Sequence, residues 1–167
     1  MDKYNWYAIY TKSRAEKKVV EALDELGIKS YLPLKTVERQ WKDRRKKIET
    51  PIIASYVFVY IDLNVQRKDL YEIQGFVSFV SEKRAPKPIP EHEIEMMRKT
   101  VESSWVFEVD NNTLVKGQKV ILRREPLKGM EGIVTDVSSK KVHLILPTVG
   151  ITLVVSMENA DFDMVNK

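Results

Sequence analysis

The sequence contains no cysteine, which removes disulfide scaffolds, thiol nucleophiles and cysteine-based zinc sites. Histidine is scarce too: His92 and His143 are the only two, far apart along the chain. Acid–base or metal chemistry needs clustered His, Asp or Glu. His92 falls in an acidic helix start and His143 in an alternating strand, so neither belongs to a recognisable cluster. None of the six glycines forms a loop that would cradle a phosphate. An enzyme is therefore not expected, nor a cofactor or a metal centre. No apolar run approaches the ~20 residues that span a bilayer. Met1 to Tyr10 lack a signal-peptide core, so the cytoplasm is the expected compartment and no membrane partner is expected.

What is present is an ordinary globular composition of 167 residues, 43% apolar and 31% charged. The formal charge is only +4, yet Lys35 to Glu49 alone holds seven cations against three anions and carries the same surplus. Such a block reads as a solvated loop, or more sharply as a polyanion contact.

Trp6 to Thr11 is aromatic and β-branched and reads as a strand. Ser13 and Glu16 have the spacing of a capping box, and Ala15, Val19, Leu23 and Leu26 then form one helical stripe that Gly27 ends. Ile28 to Leu34 is extended and broken by Pro33. Pro51 to Ile61 is a strand with Tyr56, Phe58 and Tyr60 on one face and Val57, Val59 and Ile61 on the other, so both faces need cover. A short helix over 66–74, a strand over 76–80, a proline-rich stretch to Pro90 and a helix with Ile94, Met97 and Val101 on one face follow. The order β-α-β-β-α-β-α is an α+β sandwich. Residues 105–116 read as a linker, and short β-branched runs from Val120 onwards suit a small β-barrel.

These residues resemble the NusG-type transcription elongation factors. The resemblance lies in Trp6-Tyr7, the Glu16-containing helix, the Ser55-Tyr56-Val57-Phe58-Val59 strand, the run Gly75 to Val80, and Pro88-Ile89-Pro90 before a helix. The stretch Val115 to Val134, with Gly117, Pro126, Gly129 and Gly132, is similar to a KOW motif. Two departures stand out: Glu125 where the family often has glycine before the hairpin proline, and Ile53-Ala54-Ser55-Tyr56 where it commonly reads Phe-Pro-Gly-Tyr. The compact chain and its basic segment look more like a specialised, RfaH-like paralog. The resemblance implies an N-terminal NGN-type α/β sandwich with an antiparallel sheet (1–104), a linker (105–116) and a C-terminal KOW β-barrel (117–167).

The resemblance further implies a monomeric elongation or antitermination factor that bridges the DNA cleft of RNA polymerase, holds its clamp closed and suppresses pausing or termination. On that reading Tyr10, Tyr56, Phe58 and Met97 meet the clamp, and Arg67 and Lys68 meet the opposite cleft wall. Lys12, Arg14 and Lys18 with Arg39, Lys42, Arg44 and Arg45 are the candidates to meet the non-template DNA, with Trp41 stacking on a base. The barrel would recruit a small-subunit ribosomal protein or Rho, with Val149 and Ile151 on an exposed turn as contacts. A ribosome- or RNA-binding KOW protein is the competing reading, given seven cations against three anions from Lys116 to Lys141.

Overall fold

A computed structural model describes residues 3–158 and 161–165. The chain divides into two compact units, one ending at Pro90 and one beginning at Glu91.

The first unit contains β1 (Tyr4–Thr11), α1 (Glu16–Glu25), β2 (Lys29–Tyr31), β3 (Leu34–Gln40), β4 (Arg45–Pro51), β5 (Tyr56–Asp62), α2 (Leu63–Tyr71), β6 (Phe76–Phe79) and the two-residue strands β7 (Ser81–Glu82) and β8 (Ala85–Pro86). Four strands form an antiparallel sheet in the order β2-β5-β1-β6. Alternation sorts its residues cleanly. Tyr7, Ile9, Val57, Val59 and Ile61 turn to one side and join Val19 and Leu23 of α1 and Leu70 of α2 in the core. Trp6, Ala8 and Tyr10 turn to the other, opposite Tyr60, Phe58 and Tyr56 respectively.

The capping box expected from Ser13 and Glu16 does not form. Helix α1 starts at Glu16 behind Ala15, with no side chain capping it. The Glu16 carboxylate instead accepts the Ser55 N–H at 2.8 Å. Ser55 sits at φ 63°, where glycine is the unstrained choice. That turn leaves its amide outside the ladder, and buried Glu16 supplies the acceptor. Gly27, at φ 69°, ends the helix as expected.

The basic segment is a regular two-stranded hairpin: β3 and β4 pair from Leu34↔Pro51 to Gln40↔Arg45. At its base the Lys17 ammonium donates to the Glu49 carbonyl at 3.1 Å, tying the hairpin to α1. Helix α2 begins three residues earlier than the spacing indicates, because Asp62 caps it through the Asn64 N–H at 3.0 Å.

The second unit contains α3 (Glu91–Glu102), β9 (Phe107–Asp110), β10 (Gln118–Leu122), β11 (Glu131–Val134), β12 (Lys141–Leu146), β13 (Ile151–Ser156) and β14 (Phe162–Met164). Its six strands pair antiparallel in the order β14-β10-β11-β12-β13-β9 around Val120, Leu122, Val142, Leu144, Leu153 and Val155, all buried. Gly132 permits the close approach of β11 and β12: a Cβ there would lie 2.5 Å from Val142 Cγ1. Strand β9 falls within the stretch that reads as a linker. Its alternation, Phe107 and Val109 against polar neighbours, lets it pair along the edge of β13. Helix α3, which the sequence pattern attaches to the preceding sandwich, groups with this second unit.

Candidate functional site

The aromatic side of the first sheet is a ladder of rings. Tyr4 lies 5.7 Å from Tyr60, Tyr60 5.4 Å from Trp6, and Tyr31 6.3 Å from Phe58. The Lys29 ammonium sits 5.3 Å from the Trp6 ring and 5.2 Å from Tyr60. The ladder reaches the surface at both ends: Tyr4 is 45% exposed at one, and at the other Tyr10 is 36% exposed and Tyr56 half-buried. The two rings meet edge-on at 4.8 Å, and the Tyr56 hydroxyl donates to the Tyr10 hydroxyl at 3.1 Å. Burial, and then this hydrogen bond, hold the Tyr56 phenol well above its ordinary range, so it stays neutral. The pair is a rigid, amphipathic knob of the type that anchors protein interfaces.

Phe58 and Met97, expected at the surface beside this pair, are both fully buried. Phe58 is the middle ring of a central strand, and Met97 lies on the apolar stripe of α3 with Ile94. Arg67 and Lys68 are exposed on α2, with the Arg67 guanidinium within 3.4 Å of the Tyr71 hydroxyl and stacked over that ring at 6.0 Å.

The hairpin is the most basic feature of the first unit. Arg39, Lys42, Arg44 and Arg45 are all exposed, and the Trp41 ring at the tip is 59% exposed. Lys12, Arg14 and Lys18 are exposed at the start of α1, whose Lys17 ties it to the base of β4. No ion pair joins these hairpin and α1 cations to a carboxylate among the described residues. At the tip, Lys42, Arg44 and Lys46 share an open hollow with the exposed Trp41 indole, a combination that suits a polyanion with stackable bases.

The cations of the second sheet are disposed differently. Arg123 pairs with Asp163 at 3.3 Å, Arg124 with Asp161 at 3.7 Å, Lys140 with Glu158 at 2.9 Å and Lys141 with Glu108 at 3.5 Å. Four of the seven cations from Lys116 to Lys141 are thus answered by acids from elsewhere in the same unit. Val149 and Ile151 are not exposed as expected but buried. Ile151 opens β13 opposite Leu146, and at the turn before it the Glu93 carboxylate of α3 accepts the N–H of Val149 at 3.1 Å and of Thr148 at 3.1 Å. The two histidines, distant in sequence, line one open groove of about 470 Å³ with Met96 and Met130.

A family model described as the transcription termination factor nusG matches residues 4–98. The chain belongs to the NusG family. The transcription termination/antitermination protein NusG of Rickettsia felis is 25% identical over 150 residues, covering 83% of this chain and 78% of the relative. The NusG protein of Rickettsia bellii is 24% identical over 153 residues, covering 86% and 80%. A solved structure concerning domain interaction in Thermotoga maritima NusG shares the fold, with a TM-score of 0.56, 20% identity and 98% coverage of each chain. NusG proteins are transcription factors, not enzymes, and this chain is a termination/antitermination factor of that family. No described helix is long and apolar enough to cross a membrane.

Within this NusG-family chain, three residues matter that the sequence pattern alone does not single out. Lys46 lies directly across the hairpin from Arg39. A two-residue apex at Lys42-Asp43, read as a turn between alternating strands, is the signal that pairs them. Lys17 and Glu93 act through long-range contacts to backbone groups, and no local pattern announces either.

Proposed function

We propose that this NusG-family factor binds RNA polymerase across its DNA cleft, holds the clamp closed and suppresses pausing or termination, as a specialised, RfaH-like paralog. The observation that carries the reading is the Tyr10–Tyr56 pair, a hydrogen-bonded, edge-on ring pair at one exposed end of the aromatic ladder. Tyr10 and Tyr56 dock on the clamp. Phe58, behind them in the ladder, sets the surface on which they stand, and Met97 acts from the α3 core rather than by direct contact. Arg67 and Lys68 face the second wall. The hairpin cations, with Lys12, Arg14 and Lys18, lie along the non-template DNA, which they bind through phosphates without reading sequence. A preference of ~1.4 kcal/mol for the closed polymerase changes the paused population about tenfold, so modest differential affinity suffices.

The KOW-like second unit recruits a further partner, a small-subunit ribosomal protein or Rho, at high effective concentration. Val149 and Ile151 take part only if the Glu93 contact that covers their turn opens. The competing ribosome- or RNA-binding reading is disfavoured by the ion pairs that answer the cations of this sheet. The test is co-migration of the full chain with core RNA polymerase on gel filtration, followed by a pause assay on a defined template. Wild type should co-elute and shorten pauses, and the Tyr10→Ala plus Tyr56→Ala variant should do neither. A double variant that binds like wild type would refute the docking face.

A further inference from the structure

The outward side of the second unit's sheet carries apolar residues that its core does not need. In β10, β11 and β12 alternate residues face inwards and are buried: Val120, Leu122, Val134, Val142 and Leu144. Their neighbours face outwards, where a solvated sheet ordinarily carries polar side chains. Three of those outward positions are isoleucines instead, with Ile121 exposed and Ile133 and Ile145 half-buried.

Strand register sets polar groups around them in a definite order. Lys119 lies directly opposite Ile133, and Ile133 directly opposite His143, so one row across three strands reads cation, apolar floor, imidazole. At about 4.8 Å per strand, the two polar residues flank Ile133 with roughly 10 Å between their backbones, close enough for both side chains to lean over it. The next row carries Ile121 opposite Glu131. His92 and Met96, one helical turn apart on α3, border the same groove, which Met130 and Pro147 complete at about 470 Å³. A volume of that order suits a small organic molecule.

Two groups in the groove have no partner in the fold. No ion pair joins Lys119 to a carboxylate among the described residues, whereas Arg123, Arg124, Lys140 and Lys141 each have one. The His143 Nδ1 is sealed off without a hydrogen bond, so Nε2 is the nitrogen left to the groove. We assign the proton to Nε2, because a buried N–H without an acceptor is the costlier arrangement. An ammonium and an imidazole N–H thus stand as two donors on either side of an apolar floor.

We propose that this groove binds a small amphipathic monocarboxylate, its head held by Lys119 and the His143 Nε2–H above Ile133 and its apolar body lying along Ile145, Met96 and Met130. Glu131, one row from the head, repels a second negative charge, which favours a monoanion over a dicarboxylate or a phosphorylated molecule. The site is separate from the proposed polymerase-docking pair, which belongs to the first unit.

The experiment is isothermal titration calorimetry of the full chain with decanoate, kept below its micellar range. Decylammonium (the same chain with the opposite charge) and sebacate (the same chain with a carboxylate at each end) are the comparators. Decanoate should bind at a single site, at least ~tenfold more tightly than either. Lys119→Gln should weaken decanoate ~fivefold, and Lys116→Gln, which removes an exposed cation outside the groove, less than ~twofold. Backbone amide NMR signals of Lys119, Ile133 and His143 should shift as decanoate is added. Absence of decanoate binding would overturn the proposal, as would equal affinity for either comparator or equal losses from the two lysine variants. Shifts confined to the first unit would do the same.

Discussion

The Glu93 carboxylate accepts the Val149 N–H at 3.1 Å while only 2% of Glu93 is exposed, so a helix and a tight turn 56 residues apart share one buried charge. A buried carboxylate is tolerable only when its oxygens are satisfied, and here the Thr148 and Val149 amides satisfy them. Glu93→Ala leaves both amides without an acceptor and should cost the second unit about 2 kcal/mol in urea denaturation. Glu93→Gln keeps one oxygen acceptor and should cost clearly less. Equal losses would mean that the carboxylate charge has no part in the contact.

Tyr56 contributes a ring and a hydroxyl to the exposed aromatic pair, and the two are separable. Tyr56→Ala should weaken polymerase binding ~30-fold, the loss of an anchor of about 2 kcal/mol. Tyr56→Phe keeps the edge-on ring and gives up only the hydrogen bond to Tyr10, so it should stay within ~threefold. Titrating labelled polymerase with each variant measures the difference. A phenylalanine variant as weak as alanine would move the weight from the ring to the hydroxyl.

Binding of single-stranded DNA should fall with salt. With about four phosphates neutralised, log K against log salt has a slope of roughly −3, and Arg39→Glu plus Lys46→Glu should flatten it to roughly −1.5. A flat response for wild type would take the hairpin off the DNA.

His143 links the second unit to pH. Its Nδ1 is buried without a hydrogen-bond partner, and desolvation, only partly offset by Asp110 and reinforced by Lys141, pushes the imidazole below its ordinary value. The unfolded chain, with an ordinary histidine near about 6.5, then binds more protons than the folded chain in the window just below that value. Its contribution to stability is complete above about pH 6.5 and is lost as pH falls towards the folded pKa. Urea midpoints of wild type and His143→Asn should run parallel above pH 7, and wild type should drop faster below 6.5. Parallel curves down to pH 5 would place the titration elsewhere.

Much of the first unit is legible in the sequence, because alternation and helical spacing are local. The Tyr56-Phe58-Tyr60 face, the Val57-Val59-Ile61 face and the Gly27 stop all follow from it. What is not legible is set by contacts between distant backbone groups. Glu16 has the spacing of a cap and serves Ser55 instead, because a left-handed turn 39 residues later leaves an amide to be met. Phe58 and Tyr56 look alike in an alternating strand, yet one is sealed and the other half-open. Composition marks the basic segment, whereas the pairing of Arg39 with Lys46 rather than Arg45 depends on a register that one residue of slip would invert.

The grouping of α3 with the second sheet decides where this chain can be cut and rejoined. A domain exchange with another family member spliced at residue 104 would leave Glu93 in one parent and the Val149 amide in the other. The hybrid would inherit a buried carboxyl side chain facing a foreign turn and would be expected to express poorly. Splicing between Pro90 and Glu91 carries the helix across with its own sheet and spares that mismatch.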